Sequence, residues 1–290
     1  MLASSEGVTL NADMPLSPSD TRALLERLGH RPNKRLGQNF LIDGNIVRKS
    51  LELAYLQPDD CVVEIGPGLG TLSSALLEAG AQVWAIEFDP RLHDNLANTL
   101  APEWPDKFHL IHGDAIDHPR AGFALQNNYK IIANLPYAIS TPWMEKILAG
   151  PLPDRLVLML QKEAADRFTA TPGHKNYGAI SVFIEASYQR RPGHRVARQC
   201  FYPTPDVDST LLHLERLPDA FHFNTAQRET IRAIFTQRRK QIGSLVNKHQ
   251  RASELRPWLK ELAALGIPET TRPEAIPLNG WRKMPVLVSS

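Results

Sequence analysis

The stretch Glu64-Ile65-Gly66-Pro67-Gly68-Leu69-Gly70-Thr71 decides how this chain is read. It closes an apolar run, Cys61-Val62-Val63-Glu64-Ile65, that reads as a buried strand, and it opens a helical pattern over 71–78. Glycines at such a junction let the backbone turn tightly and approach a ligand with no Cβ in the way. A strand, a glycine-rich turn and a helix in that order form the local pattern of a nucleotide site. A second strand is expected over 82–87. It ends on Glu87, 21 residues after Gly66, where a carboxylate can accept hydrogen bonds from both ribose hydroxyls.

Two ligand classes fit this pattern: a dinucleotide such as NAD, and S-adenosylmethionine. A dinucleotide fingerprint is spaced G-x-G-x-x-G, whereas this chain has G-x-G-x-G preceded by Glu64. A pyrophosphate is repelled by a nearby carboxylate, while a sulfonium cofactor carrying an ammonium group can use one. The motif therefore favours S-adenosylmethionine.

Outward from this turn, short apolar runs alternate with helical patterns. Helices are expected over 90–100, 142–149 and 162–169, and strands over 108–112, 130–133 and 156–160. That rhythm predicts an α/β fold: a parallel, Rossmann-like sheet covered by helices on both faces. Two more strands, expected over 180–187 and 210–217 and joined by a proline-rich loop, suggest an antiparallel pair at the sheet edge. Gly113-Asp114-Ala115 follows the third strand, so Gly66, Glu87 and Asp114 all stand at carboxyl ends of successive strands, where open α/β sheets bind ligands.

Toward the N-terminus, 1–18 lacks periodicity, and Ser19-Asp20 can cap a helix to Leu28 that Gly29 stops. Near Pro218 the pattern changes to helices, over 225–241 and 254–265. Ile231, Ile234, Phe235 and Ile242 form one stripe, with Arg228, Arg232 and Arg239 beside it. Three parts follow: an arm with a short helix (1–33), a catalytic domain (34–219) and a small helical domain (220–290). Residues 221–290 hold 12 Lys+Arg against 5 Asp+Glu, a net of +7. The rest of the chain holds 33 − 12 = 21 against 31 − 5 = 26, a net of −5. A basic tail on an acidic body suggests a polyanionic partner.

The 290 residues contain no apolar run long enough for a membrane helix, and the start lacks the form of a secretory signal. Two cysteines, Cys61 and Cys200, make no disulfide framework. The histidines, among them His93, His112, His118 and His213, have no metal-ligand spacing. A cytoplasmic protein is the expectation.

The fourth strand runs into Asn134-Leu135-Pro136-Tyr137. The lone pair of an adenine N6 amine is delocalised into the ring, which makes the nitrogen a poor nucleophile. Accepting hydrogen bonds from both its protons draws the nitrogen toward tetrahedral geometry. The Asn134 side-chain oxygen and a backbone carbonyl, that of Leu135, can be the acceptors. Pro136 stiffens the turn, and Tyr137 offers a stacking face.

These features together resemble the ribosomal RNA adenine N6,N6-dimethyltransferase family, in particular the bacterial branch acting on 16S rRNA. The resemblance rests on the Glu64–Gly70 turn, Glu87, Gly113-Asp114-Ala115, the Asn134–Tyr137 segment and three further motifs. These are Lys34-Arg35-Leu36-Gly37-Gln38-Asn39-Phe40-Leu41, Gln161-Lys162-Glu163, and Phe201-Tyr202-Pro203-Thr204-Pro205-Asp206-Val207-Asp208-Ser209. It runs from about residue 24 to 217 and more weakly to 246.

The resemblance implies that Asn39 and Leu41 border the S-adenosylmethionine site. Gly66 then meets the methionine part, Glu87 the ribose and Asp114 the adenine amine, and Asn134 stands at the transfer centre. It also implies that Phe201 covers the other face of a flipped adenine, opposite Tyr137. The implied activity is N6,N6-dimethylation of two adjacent adenines near the 3′ end of 16S rRNA. The implied setting is an immature small ribosomal subunit, with the enzyme acting as a monomer. Arg31, Lys34 and Arg35, Arg190, Arg191 and Arg195, and Gln237-Arg238-Arg239-Lys240 are candidate phosphate contacts. Asp206 and Asp208 depart from the family pattern, which often has a lysine before the valine. The rival readings are the related large-subunit enzyme of the resistance type, an assembly or transcription factor on the same fold, and a dinucleotide oxidoreductase.

Overall fold

The computed structural model describes residues 16–33, 36–124 and 128–288, with the Tyr137 side chain left out. Of the loose arm expected over 1–18, residues 1–15 lie outside the described residues, as do Lys34 and Arg35.

The centre is a seven-stranded sheet in the order β4-β3-β2-β5-β6-β9-β7. β2 (Cys61–Ile65), β3 (Gln82–Glu87), β4 (Phe108–His112), β5 (Tyr129–Asn134) and β6 (Arg155–Gln161) run parallel. β9 (Ser209–Arg216) pairs antiparallel with both β6 and the edge strand β7 (Tyr188–Val196). β2 and β6 are buried almost throughout, as a two-faced parallel sheet demands. The order reverses between β2 and β5, and that switch point is where a ligand crevice opens. A separate ribbon pairs β1 (Phe40–Leu41) with β8 (Phe201–Tyr202).

Helices α1 (Pro18–Arg27), α2 (Gly44–Leu53), α3 (Thr71–Glu78), α4 (Pro90–Asn98) and α5 (Leu100–Glu103) precede β4. Then come α6 (Ser140–Ala149), α7 (Lys162–Phe168) and α8 (Ala179–Ser187). α9 (Thr225–Thr236), α10 (Ile242–Lys248), α11 (Ala252–Ala264) and α12 (Leu278–Arg282) form the C-terminal part. The cap of α1 comes before its expected position, since the Ser17 Oγ accepts from the Asp20 amide; at the start of α9, Asn224 and Gln227 exchange side-chain and backbone bonds. No helix among the described residues is long and apolar enough to cross a membrane.

Three expectations are corrected. The segment 180–187 is a helix, not a strand. Its run Ile180-Ser181-Val182-Phe183-Ile184 is buried on every side, between the sheet and the C-terminal helices, so no polar face marks the helical period. The edge strand is the following segment, β7, whose interior residues are exposed. The helix expected over 225–241 ends at Thr236, and the chain turns before resuming as α10. Arg228, expected on a stripe beside the apolar one, is buried at 4% exposure. Its guanidinium donates to the Leu148 and Glu145 carbonyls and lies over the Phe183 ring.

The proposed boundary near 219 marks a change of element type, but the apolar core crosses it. One buried cluster runs from Val63 and Leu156 in the sheet through Phe183 to Ile231, Trp258 and Trp281. Both tryptophan N–H groups are satisfied, by the Gly280 and Ile276 carbonyls.

Candidate active site

The crevice at the carboxyl ends of β2, β3, β4 and β5 is a cavity of roughly 1140 Å³ including its open mouth. The turn after β2 forms its floor. Gly66 and Gly68 have φ of 67° and 63°, a left-handed backbone that disfavours side chains. A Cβ on Gly66 would stand 3.3 Å from the Pro136 ring, and one on Gly68 would stand 3.2 Å from the Phe40 ring. The turn is therefore pressed between the segment after β5 and the β1 ribbon.

Glu87 is held from two sides. The Gly68 amide donates to Oε2 (3.0 Å) and the Asp89 amide to Oε1 (2.9 Å). Burial pushes its pKa up, and these two backbone donors pull it partly back. Asp114, half-buried, has its orientation set by the Ile116 amide, which donates to Oδ1 (2.8 Å). Glu64, 2% exposed, accepts from the Ser73 hydroxyl (2.6 Å). Burial pushes its pKa up to about 8 against that hydrogen bond, and the Glu87 charge adds to the rise.

Asn134 ends β5. Its Nδ2 donates to the Asn39 carbonyl at 3.0 Å. A carbonyl only accepts, so the amide nitrogen must face Asn39 and the side-chain oxygen must point away from it. The Leu135 amide donates to the Met159 carbonyl (3.2 Å), and the Ile139 amide to the Pro136 carbonyl (3.2 Å), which fixes the backbone of the turn. Asn134, Leu135 and Pro136 all line the cavity together with Gly66, Glu87, Asp114, Asn39 and Leu41. The expected stacking face of Tyr137 lies outside the described side chains.

Phe201 stands elsewhere. It is 1% exposed, pairs with Leu41 across the β1–β8 ribbon, and packs with Met159 and Leu211 in the core. It is not among the described residues that line the cavity. The nearest chemistry-bearing neighbour in sequence, Tyr202, is half-buried under the Arg22 guanidinium.

Two cavity features escaped the sequence reading. Phe88 is 54% exposed and lines the cavity directly after Glu87; its signal was an aromatic immediately beyond an acidic strand end. The other is a clasp around Gln38. The Gln38 Oε1 accepts from the Asn33 amide (2.7 Å) and faces His30 Nε2 (3.0 Å), while its Nε2 donates to Asp89 (3.3 Å). Asp89 also caps α4. The clasp ties the segment that carries Asn39 to the strand end that carries Glu87. No local motif signals a contact between residues 51 apart.

The candidate phosphate contacts divide. Arg190, Arg239 and Lys240 are exposed. Arg191 pairs with Glu215, Arg195 with Asp208 (2.7 Å), and Arg238 with Glu274 (3.1 Å). Asp208 also accepts from the Arg198 amide, so this departure from the family pattern orders its own loop. No group of His, Cys, Asp or Glu suited to a metal occurs among the described residues.

The cavity offers two strand-end carboxylates, one buried carboxyl and apolar walls from Ile86, Phe88 and Leu92. No lysine or arginine is among its described lining residues. A pyrophosphate finds no counter-charge there, whereas a ribose, an adenine amine and an ammonium each find an acceptor. The residues fit S-adenosylmethionine.

Comparison with known proteins agrees. A sequence model of the family described as ribosomal RNA adenine dimethylase matches residues 29–260. A protein of Opitutus terrae named ribosomal RNA small subunit methyltransferase A is 56% identical over 275 residues, covering 94% of this chain and 99% of that protein. The Geobacillus kaustophilus protein of the same name is 36% identical, covering 90% and 92%. Among solved structures, a dimethyladenosine transferase from Plasmodium falciparum superposes with a TM-score of 0.70 at 25% identity, over 84% of this chain and 95% of that one. The 23S rRNA methyltransferase ErmE shares the fold, with a TM-score of 0.63 at 22% identity, over 85% and 98%.

Proposed function

This chain belongs to the ribosomal RNA adenine dimethylase family, and from that premise we propose how its residues divide the work. It is an S-adenosylmethionine-dependent methyltransferase that dimethylates adenine N6 in ribosomal RNA. The cofactor supplies a methyl group already activated as a sulfonium. Glu87 takes the ribose hydroxyls, Asp114 the adenine amine, and the Gly66 turn with Glu64 the methionine end. Asn39 and Leu41 close that site from the N-terminal side, and Phe88 packs on the adenine.

The observation that carries this reading is the Asn134 bond to the Asn39 carbonyl. With Nδ2 committed, Oδ1 is left to accept a proton of the target N6 amine, and the Leu135 carbonyl accepts the other. Both acceptors localise the nitrogen lone pair, and holding the amine in line contributes most of the rate. A singly methylated N6 keeps one proton, so one acceptor suffices to align it for the second transfer. Tyr137 stacks on the extruded base, replacing part of the stacking lost on flipping. Phe201 braces Leu41 across the β1–β8 ribbon.

The substrate proposed is two adjacent adenines near the 3′ end of 16S rRNA in an immature small subunit, met by a cytoplasmic monomer. The support is the name shared by the two curated relatives and the extent of the match. The basic 220–290 region, net +7 over 221–290, is the proposed RNA-facing part. Purified protein with labelled cofactor is offered immature small-subunit particles and naked 23S rRNA. Label in the small-subunit rRNA, recovered as N6,N6-dimethyladenosine, is the expected result. Label confined to 23S rRNA overturns the substrate assignment.

A further inference from the structure

Two carboxyls stand near the ends of adjacent parallel strands, and both line the cofactor cavity. Glu64 lies one residue before the end of β2, and Glu87 is the last residue of β3. They are held differently. Glu87 accepts from two backbone amides, those of Gly68 and Asp89, which favour its charged form. Glu64 accepts from a single hydroxyl, that of the fully buried Ser73 on α3.

The surroundings of Glu64 do not offset a charge. β3 brings Glu87, with Asp89 beyond it, and the end of β4 brings Asp114. α3 brings the Ser73 hydroxyl, and the segment after β5 brings Asn134, Leu135 and Pro136. The cation of β5, Lys130, is paired with Asp60 (2.6 Å) at the other end of that strand. No lysine or arginine is among the described lining residues. Two carboxyls taken out of water at one cavity, with no cation between them, do not both ionise readily. Glu64 has one donor against two for Glu87, so Glu64 is the one that keeps its proton. Burial, with the Glu87 charge adding to it, puts its pKa at about 8 against the pull of the Ser73 bond.

S-adenosylmethionine carries a sulfonium and an ammonium against one carboxylate, so it brings a net positive charge to this cavity. We propose that Glu64 exchanges its proton for that charge, so that cofactor binding releases a proton to solvent and the site selects a cationic ligand. The inference rests on the cofactor reading above. The Glu64 O–H bond breaks, the proton passes to water, and the carboxylate left behind balances the entering cation; no electrons change hands. At a separation of roughly 6 Å and an effective dielectric of about 20, one positive charge favours the ionised form about a hundredfold. That is enough to turn Glu64 from mostly protonated to mostly ionised at neutral pH. The proton links binding to pH: affinity rises as the solution takes over removing it.

The test is calorimetric titration of the full chain with S-adenosylmethionine, without RNA, at neutral pH in buffers of different ionisation enthalpy. The dependence of binding heat on buffer counts the protons released. Wild-type protein is expected to release at least about half a proton per cofactor, and its affinity to rise roughly tenfold from pH 5.5 to pH 7.5. The Glu64→Gln variant keeps an acceptor for Ser73 and is expected to lose both the release and most of the pH dependence. 5′-Methylthioadenosine, the same nucleoside without the two charges of the amino-acid end or the sulfonium, is expected to bind wild-type protein without release. Ser73→Ala removes the one donor and is expected to move the pH midpoint of affinity upward, which a purely structural role for Glu64 would not do. If Glu64→Gln fails to fold, the contrast between the two ligands and the Ser73→Ala shift decide. Cofactor binding without proton release, or equal release in Glu64→Gln, overturns the proposal and leaves the cofactor reading standing. Absence of S-adenosylmethionine binding by wild-type protein defeats the cofactor reading, and the proposal with it.

Discussion

The Asn134 amide is oriented by a backbone carbonyl, so the oxygen proposed to face the substrate is set before RNA arrives. Replacing Asn134 with Ala removes an acceptor and leaves the fold intact; kcat is expected to fall at least about a hundredfold, read by single-turnover methylation. Full retention of activity would sink the assignment.

Glu64 gives a second residue-scale expectation. Its folded-state pKa, about 8, lies above the ordinary 4.5, so the folded protein holds this proton more tightly than the unfolded chain. Its contribution to stability is therefore complete below pH 4.5 and is lost as pH rises toward 8. The Glu64→Gln variant is expected to lose less stability than wild type between pH 5 and pH 8.5 in urea titrations. Gln38, by contrast, was legible only as a letter in a motif. Its three partners come from Asn33, His30 and Asp89, brought together by folding.

At the scale of elements, the parallel strands and the glycine turn were legible because burial on two faces writes a continuous apolar run. The helix α8 was not, for the same reason: burial of the consecutive run Ile180 to Ile184 erased the polar face that distinguishes a helix from a strand. Phe201 was singled out by its motif alone, and nothing in the sequence announces how deeply it is buried. Its burial depends on the two-residue ribbon β1–β8, an element too short to leave a pattern.

That ribbon and the Gln38 clasp together hold Asn39 against Asn134. Gln38→Ala removes bonds to three partners, each contributing on the order of 1 kcal/mol. The expected outcome is a rise in KM for S-adenosylmethionine and a fall in kcat, with the melting temperature lowered by no more than a few degrees. A melting-temperature change with unaltered kinetics would reduce the clasp to a purely structural tie.

At the scale of the whole molecule, the 34–219 and 220–290 parts unfold either separately or as one. Charge distribution divides them, since one is basic and the other acidic. The core does not: Phe183, Trp143, Ile231, Trp258 and Trp281 belong to one buried cluster. Arg228 fastens the seam, with its charge buried on the Leu148 and Glu145 carbonyls of α6 and beside the Phe183 ring of α8. Burial lowers its pKa to about 10, yet it stays protonated at neutral pH. Removing it strands two carbonyls in an apolar seam, a loss of about 2–4 kcal/mol. Arg228→Ala is therefore expected to lower stability without altering the cavity, since neither Leu148 nor Glu145 lines it. Calorimetry of the wild-type protein should give one transition whose calorimetric and van't Hoff enthalpies agree. Two resolved transitions, with only the second shifted by Arg228→Ala, would mean that the parts fold independently and that the shared core contributes no cooperativity.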